Sequence, residues 1–193
     1  IKLVFKMKEL INNYKKNLIE TLKKLNVDKV EEFCELILNV WKTNNTIYLC
    51  GNGGSAANAI HIANDMTYGA GKKNGKGISI ESLSSNSAVL TCLANDLGYE
   101  DIFSEQIKVK GKPNDLLIVL SGSGNSKNVI KAIEIAKNKK MKTFAIVGFD
   151  GGKCKKIADN SIHFNINDMQ VAEDFQLIVS HMCMQWLSNQ KIN

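Results

Sequence analysis

The chain has 193 residues, 44% of them hydrophobic and 23% charged, a composition that fits one folded domain and excludes a disordered chain. No apolar run approaches the ~18 residues of a membrane-spanning helix, and the first residues lack the apolar core of a signal peptide. The net charge of +6 favours anionic ligands, but the lysines are spread over predicted helices, so we predict neither nucleic-acid nor membrane binding. The five cysteines contain no CxxC pair and favour a reduced, cytoplasmic protein.

Hydrophobic periodicity predicts two amphipathic helices before the first strand, one from about Lys8 to Leu25 and one after Asp28, which we expect to cap it. Strands are then predicted at 46–51, 77–83, 115–124, 143–152 and 161–166, and helices at 55–66, 86–98, 102–108, 125–140 and 171–187. Because strands alternate with helices, we predict an α/β fold, a three-layer αβα sandwich with a central parallel sheet.

The sequence contains no linker or low-complexity segment that would divide the chain. We therefore predict one unit. Residues 1–45 form its N-terminal helical pair, which packs on the core or on another subunit, and residues 46–193 form the α/β domain.

Two turns repeat one pattern, in which an apolar strand leads into a glycine- and serine-rich turn and then a helix. They are LCGNGGSAANAI, with Ser55, and VLSGSGNSKNVI, with Ser121, Ser123 and Ser126. A helix N-terminus exposes unpaired N–H groups at the positive end of the helix dipole, and glycine lets an anion approach them. Two such turns at the carboxyl ends of parallel strands predict a site for a phosphate monoester.

Two other interpretations of these turns remain open. Serine and glycine also cap helices without binding any ligand, and one such turn alone would not favour phosphate. The first turn also fits the GxGxxA fingerprint of dinucleotide sites, which needs an acidic residue ~20 positions further on. Glu81 lies 25 residues beyond Ala56, which is a poor fit, and neither turn ends in the GK[ST] of a P-loop.

Two histidines and two carboxylates fall on two predicted helices. His61 and Asp65 are one turn apart on the helix after the first glycine turn, and Glu173 and His181 are two turns apart on the last helix. Four such side chains suit a divalent cation such as Zn²⁺, which takes nitrogen and oxygen ligands. Taken singly, each is more often a surface or capping residue, and the spacing leaves that alternative open.

The segments GNGGSAANAIHIAND, LANDLGYEDIFSEQI and SGSGNSKNVIKAIEIAK resemble the sugar isomerase (SIS) domain. More closely, they resemble the bacterial sedoheptulose-7-phosphate isomerases, also called phosphoheptose isomerases. The resemblance covers nearly the whole chain, including the helical pair. It implies a flavodoxin-like fold and a homotetramer that binds sugar phosphate between its subunits.

The resemblance also implies roles for individual residues. The phosphate-binding positions are Ser55, Ser121, Ser123 and Ser126, and the sugar-binding positions are Asn52, Gly53 and Asp96. The metal-binding positions are His61, Asp65, Glu173 and His181, with Asp65 as candidate catalytic base and His181 as candidate acid.

Four positions depart from the family pattern: Asp65 replaces a glutamate, Glu173 a glutamine, Gly122 the threonine of STSGNS, and Gln176 a common histidine. Aspartate is one methylene shorter than glutamate, about 1.5 Å of reach, so the backbone must carry a base at this position closer to its substrate. Glu173 adds a negative charge to the predicted metal site.

The resemblance implies an enzyme that converts sedoheptulose 7-phosphate to a D-glycero-heptose 7-phosphate through an ene-diol, for heptose supply to lipopolysaccharide or capsule. Two alternatives remain open. One is a non-catalytic SIS module that binds a sugar phosphate or a protein as a regulator, and the other is an isomerase for another phosphosugar. The presence of His61 and His181 favours an enzyme, because a regulator needs no metal ligands.

Overall fold

The computed structural model describes residues 6–73 and 75–192. The helices are α1 (Met7–Lys23), α2 (Val27–Lys42), α3 (Gly54–Asn64), α4 (Ser87–Asp96), α5 (Ser104–Lys110), α6 (Lys127–Asn138), α7 (Gly152–Ile157) and α8 (Met169–Leu187). The strands are β1 (Ile47–Cys50), β2 (Ile80–Ser82), β3 (Leu116–Ser121), β4 (Lys142–Val147) and β5 (Asn160–His163). The prediction that the chain does not begin with a signal peptide concerns in part residues 1–5, outside the described ranges. Among the described helices, none is both long and apolar enough to cross a bilayer.

The five strands form one parallel sheet in the order β2-β1-β3-β4-β5. This is the flavodoxin-like strand order, and it confirms the predicted αβα sandwich. All six residues of β3 are buried, as expected for a central strand covered on both faces. Because the strand order reverses between β1 and β3, the loops after these strands diverge and leave a crevice between them.

The sheet separates two hydrophobic cores. One core lies against α2, α3 and α8 and contains the buried rings of Trp41, Phe144 and Phe175. The other lies against α5, α6 and α7 and contains Phe103 and Ile133. Full burial of such a side chain contributes about 1.5–3 kcal/mol, so both helical layers are held to the sheet mainly by apolar burial.

The N-terminal helices pack against α8. Tyr14 of α1 donates a hydrogen bond to the Asp174 carboxylate at 2.5 Å. Burial and this carboxylate raise the pKa of Tyr14 to about 12, so the hydroxyl remains a donor at neutral pH. Phe33 and Trp41 of α2 are almost fully buried. The helical pair is therefore packed on the α/β core by both polar and apolar contacts.

Two local predictions were wrong. Asp28 does not cap α2: the helix begins at Val27, and its cap is Asn26, whose Oδ1 accepts a hydrogen bond from the Lys29 N–H at 3.1 Å. Asp28 instead lies in the first turn, where its charge faces the positive end of the dipole. The helix α7 was not predicted, because its six residues are too few to show a periodicity.

Candidate active site

A cavity of about 270 Å³ lies at the carboxyl ends of β1 and β3, where the strand order reverses. We call it the serine cavity. Both glycine-serine turns and the start of α8 line it, through Asn52, Gly53, Gly54, Ser55, Leu120, Ser121, Gly122, Ser123, Ser126, Met169 and Glu173. The structure thus brings together all the predicted phosphate- and sugar-binding residues except Asp96.

The first turn has glycine at two successive positions. Gly53 has a φ of +55°, which side chains other than glycine rarely adopt. A Cβ on Gly54 would lie 2.2 Å from Oε2 of Glu173, so a larger residue would displace that carboxylate. The GNGG sequence therefore allows α8 to approach the N-terminus of α3.

The serine hydroxyls of the cavity are oriented as donors. Their oxygens accept hydrogen bonds from N–H groups: Ser55 from Gln176 Nε2 at 3.0 Å, Ser121 from the Gly124 amide at 3.0 Å, and Ser123 from the Asn125 amide at 3.2 Å. A hydroxyl has one proton, which is then free for an acceptor inside the cavity. Ser126 precedes α6 without making a capping bond, so its hydroxyl is also available.

The charge of the serine cavity comes from backbone dipoles and from one carboxylate. Among its described lining residues there is no lysine or arginine, and Glu173 is the one charged side chain. The N-termini of α3 and α6 meet at the cavity, and their first N–H groups have no acceptor within their own helices. Hydroxyls and amides of this kind suit a phosphate group.

His61, Asp65 and His181 form a compact group at the other end of α3. The two Nε2 atoms are 3.0 Å apart, and Oδ2 of Asp65 is 3.4 Å from each of them. Ligand atoms of a tetrahedral metal with bonds of about 2.0–2.1 Å lie ~3.3 Å apart, so these three atoms have the spacing of three zinc ligands. Two histidines and one carboxylate also form the ligand set of known catalytic zinc sites.

Asp65 lies where α3 changes to a π turn, Asp65–Gly69, in which the Ala70 amide donates to the Asp65 carbonyl. Such π turns are often found at functional sites. The Asp65 side chain is one methylene shorter than the glutamate of the family pattern, so the backbone must bring its carboxylate to the two imidazoles. The backbone departs from α-helical geometry at this residue. Periodicity does not reveal it, because the same residues fit an ordinary helix.

Glu173 is not part of the compact group of three. Its carboxylate lies against Gly54 and lines the serine cavity. The structure thus brings three of the four predicted metal ligands together and places the fourth beside the predicted phosphate site.

Asp96 lies at the exposed end of α4, outside the lining of the serine cavity. It accepts a hydrogen bond from Asn95 at 2.7 Å and one from the Cys92 thiol at 3.5 Å. The hydrogen bond and the charge of Asp96 raise the pKa of the Cys92 thiol. In this chain alone, Asp96 does not contact the serine cavity.

Two residues that the sequence analysis did not select, Asn128 and Tyr99, form hydrogen bonds with the predicted sugar-binding residue Asn52. Asn52 and the buried Asn128 exchange two amide hydrogen bonds, of 2.9 and 2.8 Å. The Tyr99 hydroxyl donates a hydrogen bond to Oδ1 of the Asn52 side chain at 2.9 Å. Asn128 lies in the first turn of α6, two residues after Ser126, so its position near the second serine turn could have marked it as a candidate. Its pairing with Asn52 depends on the fold.

The SIS domain family matches residues 12–148. The phosphoheptose isomerase of Helicobacter pylori strain 26695 is 39% identical over 155 residues, 80% of each chain. That of Aliarcobacter butzleri is 34% identical over 172 residues, 89% of this chain and 88% of the relative. The chain belongs to the phosphoheptose isomerase family.

A solved structure of this family superposes on nearly the whole chain. The phosphoheptose isomerase GmhA from Neisseria gonorrhoeae has a TM-score of 0.88 at 28% identity, covering 96% of this chain and all of that one. The similarity confirms the predicted SIS fold and includes α8, which lies beyond the segment that the SIS family matches.

Proposed function

We propose that the protein is an aldose–ketose isomerase that interconverts sedoheptulose 7-phosphate and a D-glycero-heptose 7-phosphate. The names of its relatives support this substrate, and one observation carries the assignment. The helix α3 begins at the serine cavity and ends at His61 and Asp65, while α8 passes from Glu173 to His181. A sugar whose phosphate occupies the serine cavity can therefore reach the compact group with its other end.

The serine cavity holds the part of the substrate that does not react. Its hydroxyl protons and the N–H groups at the starts of α3 and α6 bind phosphate oxygens. Binding energy from this remote group orients the carbonyl end and lowers the entropic cost of reaching the transition state.

Isomerisation of the ketose removes a proton from C1 and delivers one to C2, while a proton moves from the O1 hydroxyl to O2. We assign Asp65 as the base at carbon and His181 as the group that moves the proton between the oxygens. Because Nε2 of His181 and Oδ2 of Asp65 are 3.4 Å apart, a change of charge on one side chain during these transfers acts electrostatically on the other. The ene-diol is the intermediate that these two transfers require.

The compact group fits a divalent cation such as Zn²⁺ in donor type and in spacing. We propose His61, His181 and Asp65 as its ligands, and Glu173 joins them only if its side chain turns away from Gly54. Such a cation polarises carbonyl and hydroxyl oxygens as a Lewis acid. A carboxylate oxygen or imidazole nitrogen bound tightly to a cation is not free to take a proton, so Asp65 and His181 each serve at any one atom either as ligand or in proton transfer.

The test is isomerisation of sedoheptulose 7-phosphate by purified protein, with and without a chelator. We expect turnover that the chelator abolishes and Zn²⁺ restores. Binding of the sugar phosphate without turnover in the metal-loaded protein would indicate a regulator. Turnover of a different phosphosugar alone would overturn the heptose assignment, and turnover unaffected by chelation would overturn the metal site.

We also propose that the protein is a homo-oligomer, a tetramer by its family resemblance. Exposed apolar side chains on α1 support this: Leu10, Ile11, Ile19 and Leu22 are each 47–51% exposed. In α4, none of the ten residues is buried, although the helix is rich in apolar residues. Surfaces of this kind are typical of subunit contacts.

The proposed cellular role is heptose supply for lipopolysaccharide or capsule, in the cytoplasm. The five cysteines are all free thiols, and four of them are buried, which suits a reducing compartment. The pathway is proposed from the family resemblance alone.

A further inference from the structure

We propose that Gln176 is a positioning residue that orients the Ser55 hydroxyl toward phosphate. This inference rests on the proposed function only in taking a phosphate as the ligand of the serine cavity. Gln176 lies on α8, is 1% exposed and is not among the residues that line the cavity. Its Nε2 atom is 3.0 Å from Oγ of Ser55, which does line the cavity.

The direction of this hydrogen bond is fixed by the groups behind it. The backbone carbonyl of Glu173 can only accept, so the Asn58 amide presents its NH₂ group there, at 3.0 Å. The same NH₂ group donates its second proton to Oε1 of Gln176 at 2.9 Å. The oxygen of the Gln176 amide is thereby occupied, and its NH₂ group must face Ser55.

Ser55 is therefore an acceptor toward the protein. Its proton does not bond to Gln176 and remains for an acceptor in the cavity. Ser121 and Ser123 are oriented in the same way, but by backbone amides that no substitution can reverse. At Ser55 the orientation depends on two side chains, Asn58 and Gln176, and substitution can invert it.

The first test is Gln176→Glu, which replaces the NH₂ group with an oxygen of similar size. A carboxylate only accepts, so Ser55 donates its proton to it and is lost to the ligand, and the added negative charge also faces the anion. We expect the dissociation constant for inorganic phosphate, and KM for sedoheptulose 7-phosphate, to rise ~10- to 100-fold with kcat within a few-fold of the unsubstituted protein.

The second test is Asn58→Asp. It reverses the direction of the hydrogen bond between Gln176 and Ser55 by a substitution one residue further from the cavity. The new carboxylate cannot donate to Oε1 of Gln176, so the Gln176 amide turns its NH₂ group toward position 58 and its oxygen toward Ser55. Asn58 is not among the cavity-lining residues, so a weaker phosphate affinity in this variant would report the orientation of Ser55. We expect a rise of at least several-fold in the same two constants.

The matched control is Asn138→Asp, the same chemical change as Asn58→Asp at an exposed position in the last turn of α6. We expect it to leave phosphate affinity, KM and kcat unchanged. Ser55→Ala supplies a second control: combined with Asn58→Asp, it should show no further loss beyond that of Ser55→Ala alone, because the two act through one hydroxyl.

Binding of inorganic phosphate, measured by calorimetry, separates this inference from the proposed function. If the protein binds phosphate but does not isomerise the heptose, the function fails and the positioning role is still tested by the variants. The role is overturned if the unsubstituted protein does not bind phosphate, or if both variants fold with an unchanged melting temperature and bind it with unchanged affinity. A fall in kcat at constant KM and constant phosphate affinity would also overturn it.

Discussion

At the scale of single residues, Asp65 is the side chain that both the proposed proton transfer and the proposed metal site require. Its Oδ2 atom is 3.4 Å from Nε2 of both His61 and His181, and the side chain is 22% exposed. A carboxylate in this position stabilises the positive charge of a cation bound between the two imidazoles. We therefore expect removal of this carboxylate to impair catalysis or metal binding while the protein still folds.

We expect Asp65→Asn to lower kcat by ~10²- to 10⁴-fold, because the amide has no basic oxygen and is a poor metal ligand. Bound zinc, measured by mass spectrometry of metals, should fall in parallel if Asp65 is a ligand and stay constant if it is the base. Asp28→Asn, the same change in the exposed first turn of α2, serves as control. Unchanged isomerase activity in Asp65→Asn would remove Asp65 from the reaction.

The Cys92 thiol reports on Asp96. The Asp96 carboxylate raises the thiol pKa through a hydrogen bond and through its charge, which lowers the fraction of reactive thiolate at pH 8. We expect Asp96→Asn to speed the labelling of Cys92 by a disulfide reagent several-fold, as followed by absorbance. The Cys92→Ser variant identifies the signal, and an unchanged or slower rate in Asp96→Asn would contradict the contact.

At the scale of elements, the loops after β3 and β4 are in close backbone contact at Gly124 and Gly151. The Cys154 amide donates to the Gly124 carbonyl at 2.8 Å, and a Cβ on Gly124 would lie 2.0 Å from the Gly151 oxygen. Gly124 also has a φ of +67°. The second serine turn is therefore held in place by a backbone contact that leaves no room for a side chain.

A pair of substitutions separates the cost of the positive φ at Gly124 from the cost of its steric contact with Gly151. Gly75 has the same φ of +67° but nothing within 4 Å of a Cβ, so Gly75→Ala bears the backbone strain alone, about 1–2 kcal/mol. We expect Gly124→Ala to lower the free energy of unfolding, measured by urea denaturation, by at least about 2 kcal/mol more, because the Gly151 backbone must move. Equal losses in the two variants would show that the contact is unimportant.

The sequence predicted the elements that carry the site better than it predicted their ends. Short, nearly continuous apolar runs identified each strand of the described residues, because strands buried on both faces of a sheet are apolar throughout. The cap of α2 was wrong, because Asn26 and Asp28 are both good capping residues and only the backbone distinguishes them. The π turn at Asp65 leaves no mark on the periodicity.

The candidate site was predictable only where its residues are close in sequence or fit a family pattern. The serines of the two turns were found from the sequence, and the strand order then brought them together. The contacts of Asn128 with Asn52 and of Gln176 with Ser55 join positions 76 and 121 residues apart. Neither pairing can be predicted without the order of the strands in the sheet, because the fold determines which buried polar residues lie within hydrogen-bonding distance of each other.

At the scale of the whole molecule, the exposed apolar face of α1 predicts assembly. Ile11 and Leu22 lie on one side of the helix, since eleven residues at ~100° each return to within about 20°. Both are close to half exposed. Covering this face with a second copy would remove apolar area from water, which stabilises the association.

We expect the double variant Ile11→Lys with Leu22→Lys to dissociate the oligomer into smaller species in sedimentation experiments, because lysine is costly to bury in a subunit contact. Val109→Lys places the same charge on α5, at a side chain that is 85% exposed, and should leave the assembly intact. A monomeric unsubstituted protein, or a double variant that sediments like it, would contradict the proposal.

The helix α3 also fixes a distance. Ser55 and His61 are six residues apart on it, which at 1.5 Å per residue separates them by ~9 Å along the axis. A hydrogen-bonded helix does not shorten to suit a smaller ligand. We expect a five-carbon phosphosugar anchored by its phosphate to hold its carbonyl end short of Asp65 and His181, which would let this site distinguish substrates by the length of their carbon chain.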